Sequence, residues 1–220
     1  MPYRLLFDEA VRLLNAQEAS VDELKRGAMS PEHAPRTRLR ALKPADVDVV
    51  VDICRHAFDS ESVGAEVRSM LLLYCRRGIV GVPLTRQSEE ALPREYFTII
   101  VDDGSAERIV GITGIYRLGT WTWAGNLWLG WTAVEPSIQG LGVGGASLHA
   151  VMRIARSRGA ERLKVETAYG SRSTGFYLRN GFVEEARLRA HYGPGVNAAI
   201  LSRSLLDIEP MSGGGDGNDS

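Results

Sequence analysis

Between an apolar run that reads as a strand, "NLWLGWTAV", and an apolar-periodic run that reads as a helix, "SLHAVMRIARS", the chain carries "EPSIQGLGVGGA". A glycine-rich turn that leads from a strand into a helix aims backbone N–H groups and the positive end of the helix dipole at one point, where an anion fits. Gly140, Gly142 and Gly145 spell G-x-G-x-x-G, and Gly140 to Ser147 misses G-x-x-x-x-G-K-[ST] by one letter, with Ala146 where lysine belongs. A phosphate-bearing ligand is expected, and the surrounding chain must decide which.

A dinucleotide fold places its first glycine almost directly after a strand and then needs several more β-α units. Here Glu135 to Gln139 intervene between Val134 and Gly140, and too little chain follows, although Glu166 stands about where a ribose-binding acid would. The phosphate loop of nucleotide triphosphatases requires the lysine that Ala146 replaces. Glycines that merely let a helix pack close to a sheet are a third reading, which leaves their clustering at one helix start unexplained.

Elsewhere the pattern is that of a single α/β domain with ragged ends. The first 36 residues read as a helical extension and linker, containing "SVDELKRGAM" with the capping-box pair Ser20 and Glu23. "TRLRAL" reads as a short strand, and Val47, Val50, Val51, Cys54, then Val63, Val67, Met70, Leu71 and Tyr74, follow a 3.6-residue period, predicting two helices. "RRGIVGVPLTRQSEEALPRE" has no period and reads as a lid or a surface loop. "EYFTIIVDD", "ERIVGITGIYRL" and "NLWLGWTAV" predict an antiparallel meander, with Asp103-Gly104 in its first turn. After the glycine loop and its helix come a strand "ERLKVETA", a short helix "SRSTGFYLRNG" and a final strand pair, "FVEEARLRAHY" and "NAAILSRSL". The boundaries expected are 1–36 extension, 37–208 folded domain and 209–220 unstructured tail.

Basic and acidic residues nearly cancel, 26 against 27, so the broad positive footprint of a non-specific nucleic-acid binder is missing. No apolar run approaches the roughly 20 residues a bilayer requires, and acids interrupt the apolar start "MPYRLLFDEAVRLL". Neither nucleic acid nor membrane is expected as a partner, and the chain reads as cytoplasmic. The two cysteines, Cys54 and Cys75, lie on apolar helix faces and read as buried free thiols.

Adding Gln139 to the glycines gives Gln-x-x-Gly-x-Gly, and "GFYLRNGF" follows downstream. Together with "LKVET" between them, in that order and spacing, these stretches resemble the GNAT superfamily of acetyl-coenzyme-A-dependent N-acetyltransferases, over roughly Thr37 to Leu205. The resemblance implies a central mixed, mainly antiparallel sheet flanked by helices, with acetyl-coenzyme A as cosubstrate, an amine as acceptor and no metal. It implies that Gln139, Gly140, Leu141, Gly142, Val143, Gly144 and Gly145 form the pyrophosphate turn, which needs no lysine. It also implies that the strand end Thr132, Ala133 and Val134 splays to pair with the pantetheine arm, the Val134 N–H polarising the thioester carbonyl.

The same resemblance makes Tyr177, within "FYLRNGF", both a cofactor contact and the acid that donates to the departing thiolate. An aromatic that anchors a short helix is the alternative. The family often has a carboxylate on the strand before the glycine loop, which "NLWLGWTAV" lacks; its other solution is a glutamate on the next strand, and Glu166 fits that pattern as the base. A solvated or ion-paired strand-end glutamate is the competing reading, and the carboxylate-free strand also leaves open a non-catalytic acyl-coenzyme-A sensor that keeps the glycine loop without an effective base. His191 and Tyr192, near the last turn, are also within range of the acceptor side, and His191, a lone histidine in a loop, is a further candidate base. Gly170 and Ser171 stand where the family often has an asparagine, so Ser173 is the substitute contact. Trp121, Trp123, Trp128 and Trp131 either line an acceptor pocket or serve the core or a homodimer contact.

Overall fold

The computed structural model describes residues 36–79, 94–102, 106–117 and 125–210, with backbone alone at 76–79 and 94. The N-terminal extension, most of the lid segment, the Asp103-Gly104 turn, Trp121, Trp123 and the tail from 211 lie outside the described residues.

The chain opens with strand β1 (Arg36–Ala41) and turns into helix α1 (Val47–Ala57). Asp46 organises that turn: its carboxylate accepts the Lys43 N–H at 2.8 Å and both terminal nitrogens of Arg40 at 3.0 Å. Helix α1 buries Val47, Val50, Val51 and Cys54, and α2 (Glu61–Ile79) buries Val63, Val67, Leu71 and Cys75, the periodic stripes expected of amphipathic helices. The α2 helix continues through Ile79, beyond the last periodic apolar residue. Cys54 and Cys75 are buried free thiols, and burial pushes Cys54 up to about 12, which removes thiolate chemistry there.

Strands β2 (Arg94–Asp102), β3 (Glu107–Tyr116) and β4 (Asn126–Leu129) form the expected meander, and a two-residue strand β5 (Ala133–Val134) also pairs with β3. After helix α3 (Val143–Ser157) come β6 (Arg162–Ala168), helix α4 (Arg172–Arg179), β7 (Val183–Gly193) and β8 (Val196–Ser204). The eight strands run β1-β2-β3-β4-β6-β8-β7 with β5 beside β3, all antiparallel except the β4–β6 pair. A sheet with one parallel pair is not the doubly wound sheet of a dinucleotide fold. Helices α3 and α4 cover one face through Leu148, Val151, Met152, Leu163 and Leu201, whereas α1 and α2 cover Tyr96, Ile112 and Ala133 on the other.

The third meander run departs from expectation: it is not one strand. Leu129 stands opposite Ile115 and Ala133 opposite Ile112, so four steps along one strand face three along the other. The extra residue makes a bulge at 130–132. It is stitched by Gly130 N–H to Gly114 C=O at 2.7 Å and by the Thr132 hydroxyl, which donates to Gly130 C=O at 3.2 Å.

Close approach at β5 leaves no room for a side chain at Gly111, where a Cβ would run into the Ala133 carbonyl oxygen and lie 2.9 Å from Ile99 Cδ1. Gly111→Ala should therefore cost about 1–3 kcal/mol of stability. Urea denaturation should show a lower midpoint at unchanged slope; an unchanged midpoint would mean that β5 is free to move aside.

Candidate active site

Three structural decisions build the site. The first is the direction of Val134. Glu135 donates its N–H to Val110 C=O at 2.8 Å, so bonded pairs fall at Glu135 and Ala133, and the intervening Val134 turns its N–H and C=O away from β3. Its carbonyl is taken by the Gln139 side-chain amide at 2.9 Å, and the Gln139 oxygen accepts from Arg172 Nη1 at 3.3 Å. Gln139 thus ties the strand end to α4.

The second decision is the parting of the sheet. Strand β6 pairs with β4 at Arg162, Leu163 and Lys164, but from Val165 to Ala168 it pairs with β8 alone. Beyond the bulge, β5 and the far half of β6 are separate strand edges, and the Val134 N–H faces out of the ladder on that side.

The third is the start of α3. Gly140 and Gly142 hold φ of +87° and +84°, a left-handed conformation that any Cβ disfavours, and Gly142 is the residue that caps the helix. The first intrahelical bond runs from Ala146 N–H to Gly142 C=O at 2.9 Å, so the N–H groups of Val143, Gly144 and Gly145 precede it, and no side chain caps them. Helix α4 differs, because Ser171 accepts from the Thr174 N–H at 3.2 Å. The glycines have separate reasons: a Cβ at Gly144 would lie 3.5 Å from the Phe176 ring, so that position serves helix packing, whereas 140 and 142 are set by backbone conformation. The Leu141 N–H turns inward to Ile138 C=O at 3.4 Å.

Tyr177 is 6% exposed, between Phe176 and Phe182. Burial pushes its phenol well above the ordinary value, and a hydrogen bond with the Thr132 hydroxyl offsets part of the shift. Thr132 also meets Thr113 at 3.1 Å, so a run of hydroxyls links Tyr177 to the bulge. Ser173 lies half-buried in the first turn of α4, beside the capping Ser171.

On the opposite face of β6, Glu166 Oε1 accepts from the Tyr192 hydroxyl at 2.8 Å and lies 2.9 Å from His191 Nε2. His191 belongs to β7 itself, not to the following turn. Burial first, then the charge and hydrogen bond of Glu166, then the Tyr116 phenol, push Tyr192 upward, so it stays a protonated donor. Tyr116 in turn packs on Trp128 at 6.5 Å, whereas Trp131 meets Phe58 edge-on at 5.5 Å in the α1–α2 layer. Of the described tryptophans, Trp128 stands on the Glu166 side and Trp131 in the core. Sequence reasoning missed the Thr132–Tyr177 contact, Arg172 beside Gln139, and the Ser171 cap. Only the cap had a local signal, a serine three residues ahead of Thr174 in "SRST".

The sequence model of the acetyltransferase (GNAT) family matches residues 68–182, more than half of the chain. The chain belongs to that family. No curated protein matches it in sequence. Among solved structures, a protein from Desulfovibrio desulfuricans assigned to the GNAT acetyltransferases is 23% identical, with a TM-score of 0.59 over 78% of this chain and 99% of its own. Spermidine N-acetyltransferase from Vibrio cholerae, solved with CoA and spermine, is 14% identical, with a TM-score of 0.58 over 77% and 95%. A structure assigned as a phosphinothricin N-acetyltransferase is 19% identical, with a TM-score of 0.57 over 77% and 98%. These likenesses are of fold. The protein is a GNAT N-acetyltransferase, an enzyme of a family that uses acetyl-coenzyme A. No helix among the described residues is long and apolar enough to cross a membrane.

Glu185 supplies an internal contrast to Glu166. Its carboxyl accepts from the Ser202 hydroxyl at 2.6 Å and from Lys164 at 2.9 Å. The Ser202 bond, opposed by burial and helped by Lys164 and Arg162, holds it below the usual carboxylate range. The fold favours the ionised form, so this stabilisation is present above the unfolded value of about 4.3 and lost as pH falls through the lowered folded one. Melting temperature should accordingly drop more steeply in the wild type than in Glu185→Gln between about pH 5 and about pH 3. Parallel curves would contradict the pairing.

Proposed function

We propose that this GNAT enzyme transfers the acetyl group of acetyl-coenzyme A to a primary amine, of a small molecule or a protein, by direct attack in a ternary complex, within a domain spanning 37–208. The observation that carries the reading is the Val134 N–H turned out of the ladder at the parting between β5 and β6, with the uncapped start of α3 at one end. Acetyl-coenzyme A supplies the activated thioester and a pyrophosphate anchor.

The residues divide the work. The N–H groups from Gly140 to Gly145 receive the pyrophosphate, Val143, Gly144 and Gly145 being the amides with no intrahelical partner, and the dipole of α3 adds positive potential. Arg172 stands beside this loop through Gln139 and contributes charge. Thr132, Ala133 and Val134 offer a strand edge to the pantetheine arm, as in β-augmentation, with Ser173 as a further polar contact. The Val134 N–H donates to the thioester oxygen as negative charge gathers on it, a donor of the kind worth roughly 3–4 kcal/mol in acyl transfer.

Tyr177 donates to the departing sulfur. Its raised phenol makes complete proton loss harder than for an exposed tyrosine, so its contribution begins as a hydrogen bond that steadies the thiolate. Glu166, at the acceptor end, serves removal of the amine's proton. An alkylammonium with pKa near 10.4 holds roughly one free base in a few thousand at neutral pH, so this step needs a group to drive it.

Thermal shift separates cofactor from chemistry. Acetyl-coenzyme A or coenzyme A at 100 times its dissociation constant should stabilise the protein by about 2.7 kcal/mol, and NAD should not; stabilisation by NAD alone would sink the reading. Thiol release with spermidine, phosphinothricin and an alanine-terminated peptide then tests transfer. Tyr177→Phe should lower kcat by roughly 10²–10⁴-fold while coenzyme A binding stays near wild type. Equal activity in that variant would remove Tyr177 from the chemistry.

A further inference from the structure

On a regular strand, neighbouring side chains stand on opposite faces. His191 and Tyr192 are neighbours in β7, yet both reach the same atom, Glu166 Oε1. The backbone explains how. Leu188 pairs with Ala198 and Gly193 with Val196, so five steps along β7 face two along β8. Within this bulge Ala190 adopts φ +50°, a conformation uncommon for a residue with a Cβ. Its N–H is held by the side chain of Asn197, through Oδ1 at 3.0 Å, in place of a regular ladder bond. A disfavoured conformation fixed by a dedicated side chain is a feature that clusters where function needs a particular orientation.

The chemistry of the three groups then assigns the protons. A carboxylate oxygen only accepts, and Nε2 is the ring nitrogen that lies 2.9 Å from Oε1, so the carboxylate favours the neutral tautomer with its hydrogen on Nε2. In the neutral ring the lone pair is therefore on Nδ1, which has no hydrogen-bond partner among the described residues, and the side chain is 40% exposed. Lys164 is engaged by Glu185, so the partners of Glu166 are a phenol and an imidazole, not a fixed cation. A structural ion pair would have the opposite arrangement.

We propose that His191 Nδ1 is the atom that takes the proton of the acceptor amine, directly or through one water. Glu166 orients the ring and faces the imidazolium that forms, and the Ala190 bulge, pinned by Asn197, brings the ring there. This rests on the acetyl-transfer reading. The ammonium gives one proton to Nδ1, and the nitrogen forms its bond to the acetyl carbon. As the C–S bond breaks, the nitrogen loses its second proton while the sulfur gains one, and the imidazolium returns its proton to water. Asn197 is a positioning residue; it touches neither substrate.

The titratable groups facing the ring are Glu166 from β6 and Tyr192 from its own strand, with Tyr116 of β3 beside Tyr192; β8 contributes the uncharged Asn197. The test uses the full chain, acetyl-coenzyme A and whichever of the three amines named above releases thiol fastest. His191→Gln keeps an amide donor toward Glu166 but no titrating nitrogen. It should lower kcat/KM by roughly 10²–10⁴-fold and lose the acid limb of the pH profile, with coenzyme A binding unchanged. Asn197→Ala should lower kcat and keep the limb.

Nitrogen-15 NMR of the wild-type imidazole, read without any turnover, should place the neutral-ring hydrogen on Nε2. A His191→Gln enzyme within threefold of wild type with its acid limb intact overturns the inference, as does a ring hydrogen on Nδ1. If the wild type binds coenzyme A but acetylates none of the amines, it is the transfer reading that fails, and the inference with it.

Discussion

One inserted residue governs the site. If β4 ran straight into β5, the register set at Ile115 and Leu129 would continue, and the strand would keep β6 as its neighbour along its whole length. The bulge at 130–132 shifts the register by one, which exchanges the directions in which successive peptide groups point. That places Val134, rather than a neighbour, at the position whose N–H leaves the sheet. It also brings Thr132 against both Thr113 and Tyr177, so the same distortion that frees the amide positions the phenol. Gly111 lets β3 follow the bulged strand closely, since a Cβ there would strike the Ala133 carbonyl, whereas Gly114 makes room for Glu95 and the Tyr96 ring of β2.

The start of α3 answers to a different constraint. A helix must leave its first amides without intrahelical partners, and most chains satisfy one with a side-chain cap, as Ser171 does for α4. Gly142 forgoes that cap, and the disfavoured φ of Gly140 and Gly142 turns the preceding chain so that the loop stays exposed. Gln139 binds this loop to the strand end by holding the Val134 carbonyl, which couples the glycine turn to the position of the Val134 amide. Gln139 therefore supports the loop from behind, through bonds made within the protein.

These two constraints differ in how legible they are in the sequence. The helices are plain from the spacing of Val47, Val50, Val51 and Cys54, or of Leu148, Val151, Met152 and Ala155, because burial of one stripe needs no partner to be identified. The order of strands and the glycine turn are legible for the same local reason. The bulge is not: "WLGWTAV" alternates well enough to pass for one strand, and the offset exists only relative to β3, about 15 to 20 residues earlier in the chain. The His191–Tyr192–Glu166 cluster is hidden likewise, since it depends on a register break between β7 and β8 and on Asn197, a residue with no local pattern. Long-range register is a tertiary property, decided by which pairing buries the most on both faces at once.

The face of β6 that carries Glu166 shows how charge is sorted along a single strand. Arg162, Lys164 and Glu166 alternate with buried Leu163 and Val165, so all three project from one face. Glu185 from β7 draws in the two cations, with Ser202 completing its shell. What remains is a carboxylate two residues further on, which meets a phenol and an imidazole. Arg162 and Lys164 share the Glu185 carboxylate, so neither turns to Glu166, and in the proposed reaction that carboxylate is left to face the ammonium. Had Lys164 turned to Glu166 instead, the same residues would leave no carboxylate free for the proposed cationic acceptor. In the proposed reaction, the charge that meets the amine thus depends on the pairing of Lys164 with Glu185 rather than with Glu166.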